Sequence, residues 1–545
     1  MKYVFEVLLG LLVTLAWSAQ MLRWLRVLQR EHYDPSAPFR FLGRWSAPAS
    51  HSAKAPSVRR EHRLASLSRT LLGRTAKGRD ESRERRPFSF SLLWLGLIAL
   101  FLLLRLDVGA AIVGVVYGLF SPSGLSIRGR SAKLDWTRRL RTIAGVASVL
   151  SAGITFLGYV GHVAWFAAVI AILAVPLVID FATRVLAPYE EHRAKKFVDQ
   201  ARARLVRVKP RVVAITGSYG KTSTKNYLVD LAGPSAGVVA SPRSFNNRAG
   251  LSRAINEQLS DGTRVFIAEM GTYGPGEIRE LCQWCPPEIA VVTAIGPVHL
   301  ERMRTLEVIE AAKHEITELA DTVVLNVDDE RLARWPEALR ASGKRVVTAG
   351  SINDGADVVV RRDGAHWQIV FERQVVASVR ATLGAQPTNV ACAMAAAWVL
   401  GATPQELATR AGELRAVESR QNVVTAPSGV IVIDDTFNAN PESARAAMAL
   451  LTSLEISGRR VVVTPGLVEL GVLQYQENLQ LARHAGALDL ELIVVGRTNA
   501  AALAAGYATK PRRFDHRDEA VAWARQSLGD GDAVLYLNDL PDHYP

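Results

Sequence analysis

The segment AITGSYGKTSTKN, Ala214–Asn226, sets two glycines, a lysine and several hydroxyl side chains at a spacing that suits a phosphate. Gly217 and Gly220 let backbone N–H groups approach an anion. Lys221 can reach terminal phosphates and Thr222 can ligate Mg2+. The apolar run RVVAIT precedes the segment and KNYLVDLAG follows it. Strand, glycine loop and helix is the context a phosphate loop needs, because the helix N-terminus adds partial positive charge. The usual loop has a glycine where Ile215 stands. The segment alone therefore leaves open a nucleotide site of another kind, a structural turn or a chance match.

More chemistry-bearing residues fall at the ends of similar runs. VFIAEM ends near Glu269, IAVVTAIGPVHLERM places His299 just past another run, and AAKHEI carries Lys313. Singly, Glu269 reads as a surface carboxylate and His299 as a structural histidine. Thr222, Glu269 and His299 all following strands of one sheet argues for a metal site. VLNVDDE (Asn326, Asp328, Asp329) and VIVIDDTFNANPES (Asp434, Asp435, Asn438, Asn440) are two further strand ends. Their amides and carboxylates can hold ribose hydroxyls, adenine edges or polar substrates, or serve as polar turns.

Those positions need a scaffold. From Arg211 onward, short β-branched runs alternate with helical stretches, which predicts a parallel α/β sheet with ligands at the carboxyl ends of its strands. The 545 residues suffice for several domains, and 49% are hydrophobic. The formal charge of +13 could suggest nucleic acid. Much of it lies before residue 210, between apolar runs, with no recognition motif. That is the arrangement of a membrane protein with Lys and Arg on its cytoplasmic side, so anionic lipid is the expected contact and nucleic acid is not.

Tyr3–Leu22 is long enough to span, and a signal peptide is the alternative. Arg23, Arg26 and Arg30 follow it. Arg23 to Pro87 reads as a basic cytoplasmic loop. Phe88–Phe120 reads as a tight hairpin, with Arg105 and Asp107 near its turn or forming an intramembrane pair. Arg128–Arg141 is another basic loop, and Thr142–Gly161 and His162–Ile179 are two more apolar runs. About five crossings at ~20 residues each leave everything after residue 188 in the cytoplasm. The cysteines are Cys282, Cys285 and Cys392. They imply no disulfide framework, and the C-x-x-C pair reads as structural.

Taken in order, GSYGKTSTKN, SFNNRAGLS, AEMGTYGPGEI, PEIAVVTAIGPVHLE, AAKHEI, LNVDDE and IDDTFNANPES resemble the motifs of the Mur ligase family, closest to its D-alanyl-D-alanine-adding branch. The likeness runs from Arg211 to Gly471. The family's loop lacks the first glycine, so Ile215 fits it. The apolar runs and basic loops give an α-helical membrane region over 1–188; the resemblance implies a central P-loop ATP-binding domain with a parallel sheet over 189–418 and a Rossmann-like C-terminal α/β domain over 419–545. It also implies ATP with two Mg2+. Gly217, Ser218, Gly220, Lys221, Thr222 and Ser223 would hold the phosphates. Asn326, Asn389, Arg420 and Asp434 would contact the nucleotide. Thr222, Glu269, His299 and a carbamylated Lys313 would hold metal. Lys221, His299 and Lys313 would serve catalysis, and Asn246, Asn247, Asn438 and Asn440 would face substrates.

The sequence departs from the family pattern in places. Membrane runs stand where the family has a nucleotide-sugar domain. Thr388 precedes Asn389, Cys392 replaces an asparagine, and Pro465–Gly466 replaces Gly-Asp. The chain also ends without a Lys-Gly-Ser-like segment. The expected function is an ATP-dependent carboxylate–amine ligase working through an acyl phosphate on a membrane-associated envelope precursor. Its carboxylate and amine substrates would be small molecules or lipid-linked, and its ligase domains cytoplasmic. The alternatives are a tethered D-alanyl-D-alanine-adding enzyme, a membrane-anchored polyglutamate-type ligase and a regulatory ATP-binding membrane protein.

Overall fold

The computed structural model describes all residues except 1, 32, 35–36, 39–40, 42–99, 101–106, 123–124, 126, 128–133, 234–236, 243–244, 383, 416–421, 437–438 and 539–545. The chain divides into two compact units between Pro188 and Tyr189.

The first unit is helical. Its helices are Lys2–Arg30, Asp107–Phe120, Arg138–Val160 and Ala164–Leu173, and Val175–Val208 begins in it. Among the described residues, Tyr3–Arg30 and Arg138–Val160 are long and apolar enough to cross a membrane. Ala164–Leu173 and Val175–Val208, bent by 66° at their break, would add a third span if they form one. Pro176 lies just past that break and has no amide proton to continue the helix ladder. This is fewer than the five crossings expected. Most of the Arg23–Pro87 loop and the first half of the hairpin with Arg105 lie outside the described residues. The remaining helix, Asp107–Phe120, has 14 residues and is short for a span.

The first apolar run also differs from expectation at its end. It stays helical through Arg30, and Arg23 and Arg26 are buried. The Arg23 guanidinium donates to the carbonyls of Gly118 at 2.7 Å, Leu125 at 3.0 Å and Ser121 at 3.2 Å, and to that of Leu119. Gln20 Nε2 donates to Gly118 and Ser121 at 3.0 and 2.6 Å. The last carbonyls of a helix have no intrahelical donor, so these side chains supply what helix Asp107–Phe120 lacks at its C-terminus. Small residues allow the approach: a Cβ on Gly118 would lie 2.8 Å from that of Ala16.

The second unit holds two sheets. The first has nine strands in the order β2-β3-β1-β4-β5-β6-β7-β8-β9. They are β1 (Arg211–Thr216), β2 (Val238–Ala240), β3 (Val265–Glu269), β4 (Ile289–Val292), β5 (Thr322–Asn326), β6 (Arg345–Gly350), β7 (Val358–Asp363), β8 (His366–Phe371) and β9 (Gln374–Arg380). Strands β1 to β7 pair in parallel, as the alternation of runs predicts. Side chains alternate across a pleated strand, and β1 shows both faces buried. Val212 and Ala214 enter one core, Val213 and Ile215 the other.

The antiparallel β7-β8-β9 extension was not legible from that alternation. Its turn, Glu372–Arg373, has φ of 44° and 67° without the Asn-Gly signature that usually marks two left-handed residues. The second sheet has six strands in the order β10-β11-β15-β12-β13-β14. They are β10 (Asn422–Thr425), β11 (Ile431–Asp435), β12 (Arg460–Thr464), β13 (Glu491–Val495), β14 (Arg512–Phe514) and β15 (Ala533–Leu537). All its pairings are parallel except β10 with β11.

Candidate active site

Strand β1 lies between β3 and β4, so the connections that follow it run to opposite sides of the sheet. A crevice opens at such a switch point, beyond the strand's carboxyl end. The loop Gly217–Gly220 occupies it and leads into helix Lys221–Ala232. Gly220 has φ 77°, and a Cβ there would strike the Asn389 side chain; one on Gly217 would strike Thr293 Oγ1. Gly220→Ala is therefore expected to lower ATP affinity at least ~10-fold and to cost about 1–3 kcal/mol of strain. Calorimetric ATP titration and thermal unfolding measure the two effects.

Ser218 fixes the loop through its hydrogen bonds. Its N–H donates to Ala294 O at 2.7 Å. Its Oγ donates to Gly296 O at 3.0 Å and accepts from the Gly296 N–H at 2.8 Å. Lys221 Nζ folds back to Gly217 O at 2.6 Å, placing the ammonium over the loop.

Glu269, at the end of β3, is 1% exposed. It accepts from Thr222 Oγ1 at 2.9 Å, Lys225 Nζ at 3.2 Å and Asn246 Nδ2 at 3.1 Å. Thr222 and Glu269 thus come together as the sequence predicts, and Asn246, expected on the substrate side, joins them. Lys225 was missed, though it sits one helical turn beyond Lys221 and is itself 2% exposed. Lys225→Met removes the counter-charge of a buried carboxylate, which costs about 3–5 kcal/mol. The expected result is a lowered unfolding temperature that Mg2+ with ADP partly restores.

His299 follows β4 with φ 56°. Its Nδ1 lies 2.5 Å from Glu469 Oε2 and its ring centroid 4.6 Å from that of Tyr273. Lys313, on helix Leu306–His314, is 4% exposed. Burial, and then the charge of Lys221, push its amine well below the ordinary lysine value. Among the described residues no three His, Cys, Asp or Glu side chains gather to hold a metal. Glu269 and His299 are therefore not a ready-made cluster, and Thr222 and a modified Lys313 would have to complete the donor set.

A pocket beside the loop is lined by Tyr219, Gly220, Asn326, Asn389, Asp435 and Asn440, among others. Asn326 Nδ2 donates to Thr293 O at 2.8 Å. The pleat of β11 separates its two aspartates. Asp435 faces this pocket, while Asp434 faces a separate cavity with Val432 and Tyr536 and accepts from Thr436 Oγ1 at 2.7 Å. The alternation in VIVIDD carried that signal. Two asparagines assigned to substrate are helix caps: Asn247 Oδ1 accepts from Gly250 N–H at 2.9 Å, and Asn440 Oδ1 from Ser443 N–H at 2.9 Å. Asp328 and Asp329 likewise accept backbone N–H groups of neighbouring turns. Arg420 and Asn438 lie outside the described residues. Cys282 and Cys285 are buried and unbridged, and burial pushes the Cys282 thiol up to about 12, so the pair is structural.

The Mur ligase middle-domain model matches residues 215–400, and the Mur ligase glutamate-ligase-domain model matches 419–537. The UDP-N-acetylmuramoyl-tripeptide–D-alanyl-D-alanine ligase of Mycobacterium tuberculosis (strain ATCC 25618 / H37Rv) is 32% identical over 357 residues, which cover 60% of this chain and 67% of that one. The chain belongs to the Mur ligase family. Mur ligases form amide bonds with ATP. The enzyme of the same name from Bacillus subtilis (strain 168) is 32% identical, over 50% of this chain and 60% of its own. The chain thus spans about two thirds or less of these relatives' lengths. MurF from Acinetobacter baumannii shares the fold, with TM-score 0.57 and 24% identity over 64% of this chain and 77% of that one. MurF from Thermotoga maritima in complex with ADP gives 0.56 and 24% over 64% and 80%. The Mur ligase match begins at 215, after the apolar helices of the first unit.

Proposed function

We propose that this Mur ligase joins a carboxylate to an amine on a membrane-associated envelope precursor, with ATP supplying an acyl phosphate. The observation that carries the proposal is the joining of Lys221, Thr222 and Glu269 at the switch point, beside a pocket large in amides and carboxylates. The glycine cradle, which a Cβ would fill, fits phosphates. The oxygen donors of Thr222 and Glu269 fit Mg2+, which takes hard ligands and keeps its waters and substrate phosphates. Mg2+ bound there would neutralise charge on the phosphoryl group in transfer.

In this reading the backbone at Gly217 and Gly220 orients the phosphates and Lys221 stabilises the charge that develops on the γ-phosphoryl group. The substrate carboxylate attacks that phosphorus and ADP leaves. The amine then attacks the acyl carbon, an amide forms, and phosphate and a proton are released. Asp435 and Asn326 hold the nucleoside side of the pocket. Lys313, if carbamylated, and His299 would hold a second metal. The apolar helices before residue 188 support a substrate presented at a cytoplasmic membrane, with the ligase domains on its inner side.

A second reading, D-alanyl-D-alanine addition by a tethered enzyme, is favoured by the 32% identity to ligases of that name. Phosphate release from ATP by the detergent-solubilised protein, offered amino acids, D-alanyl-D-alanine and lipid-linked envelope precursors, tests both. Release that depends on one carboxylate–amine pair, with mass spectrometry of the amide, is the expected outcome. ATP hydrolysis indifferent to every pair would end the ligase reading.

A further inference from the structure

We infer that Glu469 is a positioning residue for the metal site, delivered to His299 by the C-terminal half of the second unit. The inference rests on the assignment of His299 to a metal made above. Glu469 Oε2 stands 2.5 Å from His299 Nδ1. A carboxylate there accepts the Nδ1–H hydrogen bond, which keeps the proton on Nδ1 and leaves the Nε2 lone pair for a cation. This is how second ligands orient metal-binding imidazoles and fix their tautomer. The backbone agrees with the side chains: Glu301 N–H donates to Glu469 O at 3.4 Å. His299 and Glu469 hold φ of 56° and 63°, a left-handed region that non-glycine residues keep only when their surroundings impose it.

The residue that matters is carried on a rigid mount. Thr464 ends β12, and the stretch after it is bolted to the second sheet by three buried asparagines. Asn478 Oδ1 accepts from Leu467 N–H at 2.7 Å, and its Nδ2 donates to Leu467 O at 2.9 Å. Asn499 Nδ2 donates to Pro465 O at 2.9 Å, and Asn538 Nδ2 to Gly466 O at 2.7 Å. Gly466 N–H donates to Thr464 Oγ1 at 3.0 Å. Glu469 therefore moves with the second sheet as a body, whereas His299 belongs to the first. The imidazole is held for metal only while the two sheets are together. A change of position between them would register at the metal before any substrate atom moves.

The test uses the full chain in detergent with ADP. Free Mn2+ is followed by electron paramagnetic resonance for the wild type, Glu469→Gln, Glu469→Ala and His299→Ala. Glu469→Gln keeps shape and size, which guards against a misfolded alanine variant. The expected result is Mn2+ binding weaker by about 10–100-fold in both Glu469 variants, with metal-free ADP affinity within about 3-fold of wild type. The Mg2+ concentration for half-maximal phosphate release should rise in parallel. Unchanged Mn2+ affinity in Glu469→Gln and Glu469→Ala overturns the inference. So does an equal loss of ADP affinity with and without metal, which would make the contact a latch between halves. His299→Ala binding Mn2+ normally would instead remove the metal assignment of His299, a separate failure.

Discussion

Lys313→Ala is expected to lower ligation on the order of 100-fold or more, and millimolar formate, acetate or propionate should restore part of the loss. The amine is buried, and both burial and Lys221 disfavour its charged form. A neutral amine can add to CO2: an N–C bond forms and one proton leaves, turning a would-be cation into an anionic oxygen donor. A small carboxylate in the space left by alanine supplies the same oxygens. Absence of rescue, with normal folding by circular dichroism, would show that the amine itself is what the site uses.

The same lysine sets a pH dependence. Its folded value lies below the unfolded 10.5. Between the two values the unfolded chain binds the extra proton, so this group makes stability rise with pH across that window and contributes no slope above it. Lys313→Met removes that slope, and CO2-free thermal unfolding from pH 7 to pH 10 measures it.

Lys221→Ala should reduce kcat by about 10²–10³-fold, the cost of one donor aimed at developing charge. ATP binding should fall less, because the loop's backbone donors remain. Lys221→Arg should not rescue, since a planar guanidinium does not fit a site shaped for a compact ammonium. A second effect compounds the first. Losing the Lys221 charge lets Lys313 hold its proton more readily, so carbamylation should fall too. Bicarbonate-dependent activity in the variant, followed by stopped-flow phosphate release, separates the contributions. A variant within about 3-fold of wild type would remove Lys221 from the phosphoryl transfer.

How much the sequence disclosed depends on how far apart the partners lie. The phosphate loop was legible because its glycines, lysine and threonine are neighbours and the strand and helix flank them. Thr222 with Glu269 was legible because one follows and the other ends a strand of an evident parallel sheet. The capping roles of Asn247 and Asn440 were not drawn from the sequence although each precedes a helix, and Pro441 after Asn440 is a helix-start signature. The alternation in VIVIDD puts Asp434 and Asp435 on opposite faces, and only the structure shows that the pocket beside the loop lies on the Asp435 side. Lys225 needed burial, and Glu469 needed a contact spanning 170 residues. No local pattern contains either. The buried Arg23 was read as a flank for the same reason, since its carbonyl partners lie about a hundred residues on.

The phosphate loop also depends on distant chain for its own shape. Its threonine is placed by Glu269, 47 residues later, and its serine by Gly296, 78 residues later. Gly220 is walled by Asn389. During synthesis, then, the loop exists as a sequence long before it exists as a cradle. The cradle as it stands here is complete only after the helix at Pro387–Val399 has left the ribosome.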